Sequence, residues 1–156
     1  MNPAIRLQPL KLITIAALDW RNGLEYALEA VHRLAQGGLH VDYTIVGSGE
    51  FLEAVVLARH EFGLDDRVKL LLTADDARIQ ALLRDAHAFL YPCVAPGAAH
   101  GLAMAVAARR PVIAFEQAEV AAALQGYSDV QWIPRRDVER LTDALKSLLN
   151  FPETSD

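Results

Sequence analysis

Short apolar runs alternate along the chain with longer segments in which apolar residues recur every three or four positions. This alternation predicts a parallel β-sheet with helices on both faces, because strands buried on both faces are apolar throughout and amphipathic helices bury one stripe. The predicted strands are KLITIAA (11–17), VDYTIVG (41–47), RVKLLL (67–72), HAFLYP (87–92), PVIAF (111–115) and VQWIP (130–134). The predicted fold is therefore α/β, a doubly wound, Rossmann-like parallel sheet of six strands.

Helical segments connect these strands. The first is predicted from an apolar stripe and ends in a glycine pair suited to a left-handed cap; the stripe consists of Leu24, Ala27, Leu28, Val31 and Leu34. A second helix is predicted from about Glu50 to Phe62, stopping at Gly63. Asp75 or Asp76 is placed to cap the helix that runs through Leu83, because a carboxylate accepts hydrogen bonds from the free amides of a first turn. The last helix is predicted to bury Val138, Leu141, Leu145 and Leu148.

The length of 156 residues fits one domain. We expect a lead-in at 1–9, one domain at 10–150 and a frayed tail at 151–156, since no repeat or linker interrupts the pattern. In such sheets ligands bind at the carboxyl ends of the strands near the point where the strand order reverses. The loops predicted to form a site are therefore Leu18–Asn22, Gly47–Glu50, Thr73–Asp76 and Cys93–His100.

Composition narrows the classes of partner. The net charge of −5 comes from interspersed acids and bases with no basic run, so nucleic acid is not expected to bind. The only cysteine is Cys93, which excludes a disulfide within the chain and favours a reducing compartment, with cytoplasm as the expectation. The first apolar run stops at Asp19, too short for a membrane span, so no direct insertion is expected. No His, Cys, Asp or Glu group has metal-ligand spacing, so no metal is predicted.

The order of the segments LDWRNGLEYALEAV, DYTIVGSGE, FGLDDRVKLL, RDAHAFLYPC and RRPVIA closely resembles the C-terminal half of group 1 retaining glycosyltransferases of the GT-B fold. The match runs from about Leu10 to Leu149 with little need for gaps. The resemblance implies a single GT-B half that binds a nucleotide sugar, with catalysis in a cleft against a second, acceptor-binding domain.

The donor-binding positions of that family are substituted here. The resemblance implies an Arg and a Lys after the first strand that hold the donor diphosphate, and two glutamates that contact its sugar and ribose. The matching positions are Ala17 and Asn22, then Pro96 and Met104. No Asp or Glu occurs from Ala86 to Phe115, so a change of register restores neither carboxylate. The resemblance thus implies a degenerate donor site, with no catalytic residue predicted and no activity expected of the chain alone.

Some anion-binding chemistry remains in these loops. Backbone amides of Ala98, Ala99 and His100 would open a helix after Gly97, and a helix N-terminus attracts anions. Arg21, next to Asn22, is a further candidate phosphate contact. The alternative is that the turn consists of small residues chosen for packing and that Arg21 is a solvated loop residue.

The nucleotide base is predicted near Thr73, Ala74 and Asp75. His87 and His100 are expected to be the titratable groups nearest the site mouth, either as ligand contacts or in structural and exposed roles. Cys93 is expected to be a small buried residue, because no base or acid lies near it in sequence.

The glycines of IVGSGE are read as structural, since a dinucleotide fingerprint needs a third glycine and follows the first strand. A Rossmann-type redox enzyme is therefore remote. No cofactor is predicted beyond a nucleotide sugar or nucleoside diphosphate as ligand.

Two functions stay open. The first is a donor-binding glycosyltransferase domain that works with an acceptor-binding domain. The second is a non-catalytic module for protein interaction or assembly, with a protein partner or a second copy of the chain on an apolar rim of Ala17, Pro96 and Met104.

Overall fold

The computed structural model describes residues 9–97 and 99–149. Six strands form one parallel sheet: β1 (Leu10–Ile15), β2 (Val41–Val46), β3 (Val68–Leu71), β4 (Ala88–Tyr91), β5 (Val112–Phe115) and β6 (Val130–Ile133). Their order is β3-β2-β1-β4-β5-β6, so the chain reverses direction across the sheet between β1 and β4. The predicted doubly wound sheet of six strands is confirmed, and its switch point lies where β1 and β4 pair.

Six helices connect and cover these strands: α1 (Leu24–Gln36), α2 (Leu52–Glu61), α3 (Asp76–Asp85), α4 (His100–Ala107), α5 (Ala118–Ala123) and α6 (Val138–Leu149). A short 3-10 turn (Trp20–Asn22) also follows β1. The 3-10 turn and α5 were not predicted, because three residues and the six-residue segment AEVAAA are too short to show a period.

The predicted helix ends are largely confirmed. The second glycine of the pair after α1, Gly38, has φ 83°, and the Leu39 amide donates to the Leu34 carbonyl in a left-handed cap. Asp75 rather than Asp76 caps α3, since its carboxylate accepts from the Arg78 amide at 2.8 Å. α2 begins two residues later than predicted.

Two apolar cores lie on opposite faces of the sheet. One packs α1 and α6 against the sheet through residues such as Leu28, Tyr43 and Leu145. The other lies under α3 and α4 and includes Ile13, Phe89 and Leu102. In α6, Val138, Leu141 and Leu145 are buried as predicted, whereas Leu148 is only half-buried. Burial on both faces is the physical reason for the continuous apolar strands.

The sheet interior holds one hydrogen-bonded polar pair. The Tyr43 hydroxyl lies 2.6 Å from Thr14 Oγ1, and Thr14 Oγ1 donates to the Leu90 carbonyl. Tyr43 therefore donates to Thr14. Burial raises the pKa of Tyr43.

The predicted lead-in, apart from Pro9, and the predicted tail at 151–156 lie outside the described residues, as does Ala98. Within the described part of the chain, no helix is long and apolar enough to cross a membrane.

Candidate functional site

A crevice is expected outside the carboxyl ends of β1 and β4, where the strand order reverses. The loop after β1 and the loop after β4 are tied together there, because the Val94 amide donates to the Arg21 carbonyl at 2.8 Å. The α-carbon of Gly23 lies against the Pro92 carbonyl so closely that a Cβ would overlap that oxygen, and Gly23 has φ 59°. Glycine at 23 thus permits the two loops to meet.

The 3-10 turn is held by side chains as well as by its backbone. Asp19 caps it, with Oδ1 accepting from the Arg21 amide at 2.8 Å. Asn22 Nδ2 donates to the Ala17 carbonyl at 2.7 Å, and the Asn22 side chain is 5% exposed. Asn22, a predicted donor contact, therefore fixes the turn from inside and exposes little surface to a ligand.

The structure brings Arg21 and Gly97 together, although they lie far apart in sequence. The Arg21 Cδ is 3.6 Å from the point that a Cβ on Gly97 would occupy. The Arg21 guanidinium is also 3.4 Å from Asp19 Oδ2 and remains half-exposed. A cation and the loop that leads into α4 are thus neighbours at the switch point.

α4 begins at His100, the last residue of the predicted amide cluster Ala98, Ala99 and His100. Ala99 occupies the N-cap position without a side-chain hydrogen bond, and the first turn holds no acidic residue. The amides that open the helix are therefore those that follow Ala99, and no side chain of the cap competes for them. His100 is exposed at this point.

The start of α4 is pressed against β1. A Cβ on Gly101 would overlap the Ile15 carbonyl oxygen, so only glycine allows this approach. A Cβ on Gly47 or on Gly49 would likewise overlap a carbonyl oxygen, that of Ala16 or of Leu18, which is consistent with structural glycines.

The predicted base-binding loop follows β3. Thr73 is exposed and Ala74 packs against the second core. Asp75 is committed to capping α3. Thr73 and Asp75 are both exposed, and one oxygen of Asp75 is used in the cap.

The four positions that the family resemblance singled out differ in exposure. Ala17 and Pro96 are exposed, Asn22 is buried, and Met104 is half-buried and packs against the second core. Met104 therefore contributes little exposed surface to the apolar rim that was expected from Ala17, Pro96 and Met104. Trp20 adds far more apolar surface near Ala17, with 47% of its area exposed.

The prediction that His87 lies near the site mouth is wrong. His87 precedes β4, and its Nδ1 accepts from the Lys11 amide at 2.9 Å, at the start of β1. It therefore lies at the amino end of the sheet, opposite the crevice. The residue that precedes a parallel strand and the residue that follows it lie at opposite edges.

Cys93 belongs to a buried polar cluster with Tyr91 and Gln117. The thiol lies 2.9 Å from the Ala95 carbonyl and receives a hydrogen bond from Gln117 Nε2 at 3.1 Å. Burial raises the pKa of Tyr91, and the neighbouring Cys93 and Asp19 add to the rise. Cys93 is buried, as expected.

Sequence reasoning missed Trp20 and Gln117. The signal for Gln117 was its place two residues after the strand PVIAF, at a carboxyl end. The signal for Trp20 was a large aromatic residue beside Arg21 in the first such loop. Among residues 9–97 and 99–149, no three His, Cys, Asp or Glu side chains are grouped so as to hold a metal ion.

Comparison with known proteins gives one consistent family. The model of the family described as glycosyl transferases group 1 matches residues 9–150. The amylovoran biosynthesis glycosyltransferase AmsK of Erwinia amylovora is 29% identical over 147 residues, which are 90% of this chain and 36% of AmsK.

Solved structures share the fold. The sucrose-phosphate synthase of Thermosynechococcus elongatus superposes with a TM-score of 0.78 at 19% identity, over 94% of this chain and 37% of the synthase. The Anabaena protein HepE, crystallised with UDP and glucose, gives a TM-score of 0.76 at 15% identity, over 89% of this chain and 38% of HepE. The chain thus spans little more than a third of the proteins that it matches.

Proposed function

Because the chain belongs to the group 1 family of glycosyl transferases, we propose that it is the half of such an enzyme that binds the nucleotide-sugar donor. The observation that carries this proposal is the contact at the switch point, where the Arg21 side chain lies beside Gly97 in the loop that leads into α4. A diphosphate there would face one guanidinium and the free amides of a helix start.

The proposed site has fewer charged side chains than a site with two cations and two glutamates. Arg21 is the cation that the loops after β1 and β4 supply, and Asp19 offsets part of its charge. We expect a nucleoside diphosphate to bind with an affinity in the micromolar to millimolar range and with strong salt dependence.

The chain is proposed to be inactive by itself. The matched relatives are about two and a half times as long, and no Asp or Glu that could contact a sugar occurs from Ala86 to Phe115. We propose that an acceptor-binding domain, in the same polypeptide or in a separate protein, completes the enzyme. The proposed compartment is the cytoplasm.

Calorimetric titration with UDP, GDP, ADP and UDP-glucose at low salt tests the donor site. UDP comes first because the structurally similar HepE was crystallised with it. Arg21→Ala should weaken binding several-fold, since it removes a charge-assisted hydrogen bond. Arg84→Ala is the matched control, because Arg84 is an exposed arginine in the last turn of α3, away from the crevice.

A second pair of variants separates charge from capping. Ala99→Asp would cap α4 and place a negative charge at the proposed phosphate site, so we expect binding to fall about two- to fivefold or more. Ala99→Asn caps the helix without charge and should weaken binding less. Absence of saturable heat at millimolar ligand, or equal effects of the two variants, would contradict the proposed site.

The second candidate function is a non-catalytic module that binds a protein through the crevice rim. It is favoured by the exposed apolar side chains of Ala17, Trp20 and Pro96. Light scattering of the purified chain tests it: a stable dimer supports it, and a monomer that binds UDP contradicts it.

A further inference from the structure

A cavity of about 120 Å³ lies on the face of the sheet that α3 covers, toward the amino ends of β1, β2 and β3. α3 ends over β1, where Asp85 contacts Lys11, and Lys69 on β3 stays exposed. Ile13 and Leu82 form part of its apolar lining. Because a cavity of ~150 Å³ accommodates benzene, this one has room for about five non-hydrogen atoms.

The strand register places four polar side chains around the cavity. Lys11 on β1 pairs with Asp42 on β2, and Thr44 on β2 pairs with Lys69 on β3. Alternate residues of a strand point to the same face, and Val46, two residues after Thr44, belongs to the core under α3. The four side chains therefore share the face that α3 covers, and all four line the cavity.

One charged pair in the cavity is already formed. Lys11 Nζ donates to Asp85 Oδ2 at 2.8 Å, and this hydrogen bond raises the pKa of Lys11, with a smaller contribution from the charge of Asp42. Within residues 9–97 and 99–149, the Lys69 ammonium and the Thr44 hydroxyl have no side-chain partner. The Asp42 carboxylate has only the more distant charge of Lys11. One carboxylate, one ammonium and one hydroxyl are thus open to a ligand.

Thr44 gives independent support for a ligand in the cavity. Its side chain is 7% exposed, and buried polar groups in proteins rarely stay without a hydrogen bond. The other buried threonine of the sheet, Thr14, is fully bonded, to the Tyr43 hydroxyl and the Leu90 carbonyl. The Thr44 hydroxyl therefore needs a partner that enters the cavity, either water or a polar ligand.

We propose that this cavity binds a small zwitterion of the α-amino acid class, such as glycine or alanine. The ligand's ammonium group would donate to the Asp42 carboxylate, and its carboxylate would accept from the Lys69 ammonium and the Thr44 hydroxyl. One open charge of each sign favours a ligand that carries both signs over a simple cation or anion. The cavity lies at the amino end of the sheet, opposite Arg21, so this inference does not depend on the proposed donor site.

Titration of the ¹⁵N-labelled chain with glycine and L-alanine, followed by NMR, tests the proposal. We expect saturable shifts of the Asp42, Thr44 and Lys69 amides, with a dissociation constant in the millimolar range because the ligand has so few atoms. Acetate and methylammonium each carry half of the zwitterion and should bind about tenfold more weakly, since each meets one charge. L-Phenylalanine should bind more weakly than alanine, because its ring exceeds the volume of the cavity.

Variants with matched controls assign the binding groups. Asp42→Asn and Lys69→Gln should each weaken glycine binding about tenfold. Thr44→Val should weaken it about threefold, whereas Thr44→Ser keeps the hydroxyl and should retain the affinity. Asp143→Asn and Lys146→Gln make the same charge changes at exposed positions of α6, on the other face of the sheet, and should leave binding unchanged.

Three results would overturn the proposal. They are the absence of saturable shifts at hundreds of millimolar, which would leave only water in the cavity, equal affinity for glycine and its two halves, and equal losses in Asp42→Asn and Asp143→Asn. UDP is titrated into the same samples. Shifts at Arg21 and Gly97 without a response to glycine support the donor site and remove this one, and the converse supports this site and removes the donor site.

Discussion

The two ends of the sheet differ in how closely backbone meets backbone. At the carboxyl end, backbone lies against backbone: Gly101 touches the Ile15 carbonyl and Gly23 the Pro92 carbonyl. At the amino end, side chains bridge the elements, with Lys11 Nζ 2.8 Å from Asp85 and an Arg110 N–H donating to the Ala86 carbonyl at 3.1 Å. The carboxyl end is thus held by close backbone contacts that only glycine permits.

The two ends of the sheet also differ in whether a glycine position tolerates a side chain. α4 ends at the amino end of the sheet with Arg109 in the left-handed conformation, φ 57°, where α1 has Gly38 at φ 83°. In both caps the amide of the next residue donates to the helix, from Arg110 to Ala105 and from Leu39 to Leu34. At the amino end a bulky residue, Arg109, occupies a cap position that favours glycine. At the carboxyl end the close contacts of Gly101 and Gly23 leave no room for any side chain.

The largest effect on the free energy of unfolding is expected from a substitution at Gly101. Gly101→Ala adds a Cβ that overlaps the Ile15 carbonyl, so α4 must shift away from β1. We expect the free energy of unfolding to fall by about 3 kcal/mol, which exceeds the ~1 kcal/mol that alanine gains in a helix. Denaturant unfolding measures it.

Gly37→Ala is the control for Gly101→Ala. The nearest atom to its Cβ would be the Leu34 carbonyl oxygen at 3.5 Å, which is ordinary contact. Its stability should change by no more than about 0.5 kcal/mol. Equal stability of both variants would show that the carboxyl end yields as easily as the rest of the surface.

An intermediate effect is expected at alkaline pH. Burial raises the pKa of Tyr91 and Tyr43 above 10.0, so the fold keeps two protons that the unfolded chain releases first. Their contribution to stability is complete below pH 10 and is lost as pH rises above it, with a slope of up to about 1.4 kcal/mol per pH unit for each tyrosine.

Unfolding at pH 8, 10 and 11 should show this loss, with a shallower slope in Tyr91→Phe and in Tyr43→Phe. Because lysines titrate in the same range, the difference between wild type and variant is the measured quantity. Identical slopes would mean that neither hydroxyl is held protonated by the fold.

The smallest effect is expected at the amino end. Arg109→Gly removes the cost of a left-handed side-chain residue, so we expect a gain of about 0.5–1 kcal/mol in stability. Gly38→Ala makes the opposite change at α1, with open space around its Cβ, and should lose a similar amount. A loss in Arg109→Gly would show that the Arg109 side chain stabilises the fold more than its backbone strains it.

Much of the fold follows from local pattern. The six apolar runs predicted the six strands, and Asp75 and the glycine pair after α1 marked helix ends, because periodicity and capping depend on neighbours within a few residues. The segment that forms α5 shows no such pattern, and its helix depends on packing of Val120 and Leu124 on the sheet.

The sequence by itself determined the class of the fold and the uncharged residues Ala17, Asn22, Pro96 and Met104 in the loops of the proposed site, since identity at a position needs no coordinates. Only the tertiary structure decided which of these side chains are exposed, that His87 lies at the amino end, and that Gln117 reaches Cys93. It also placed Arg21 against Gly97. The physical reason is the strand order: pairing of β1 with β4 brings together loops that are remote in sequence, and no local pattern encodes that pairing.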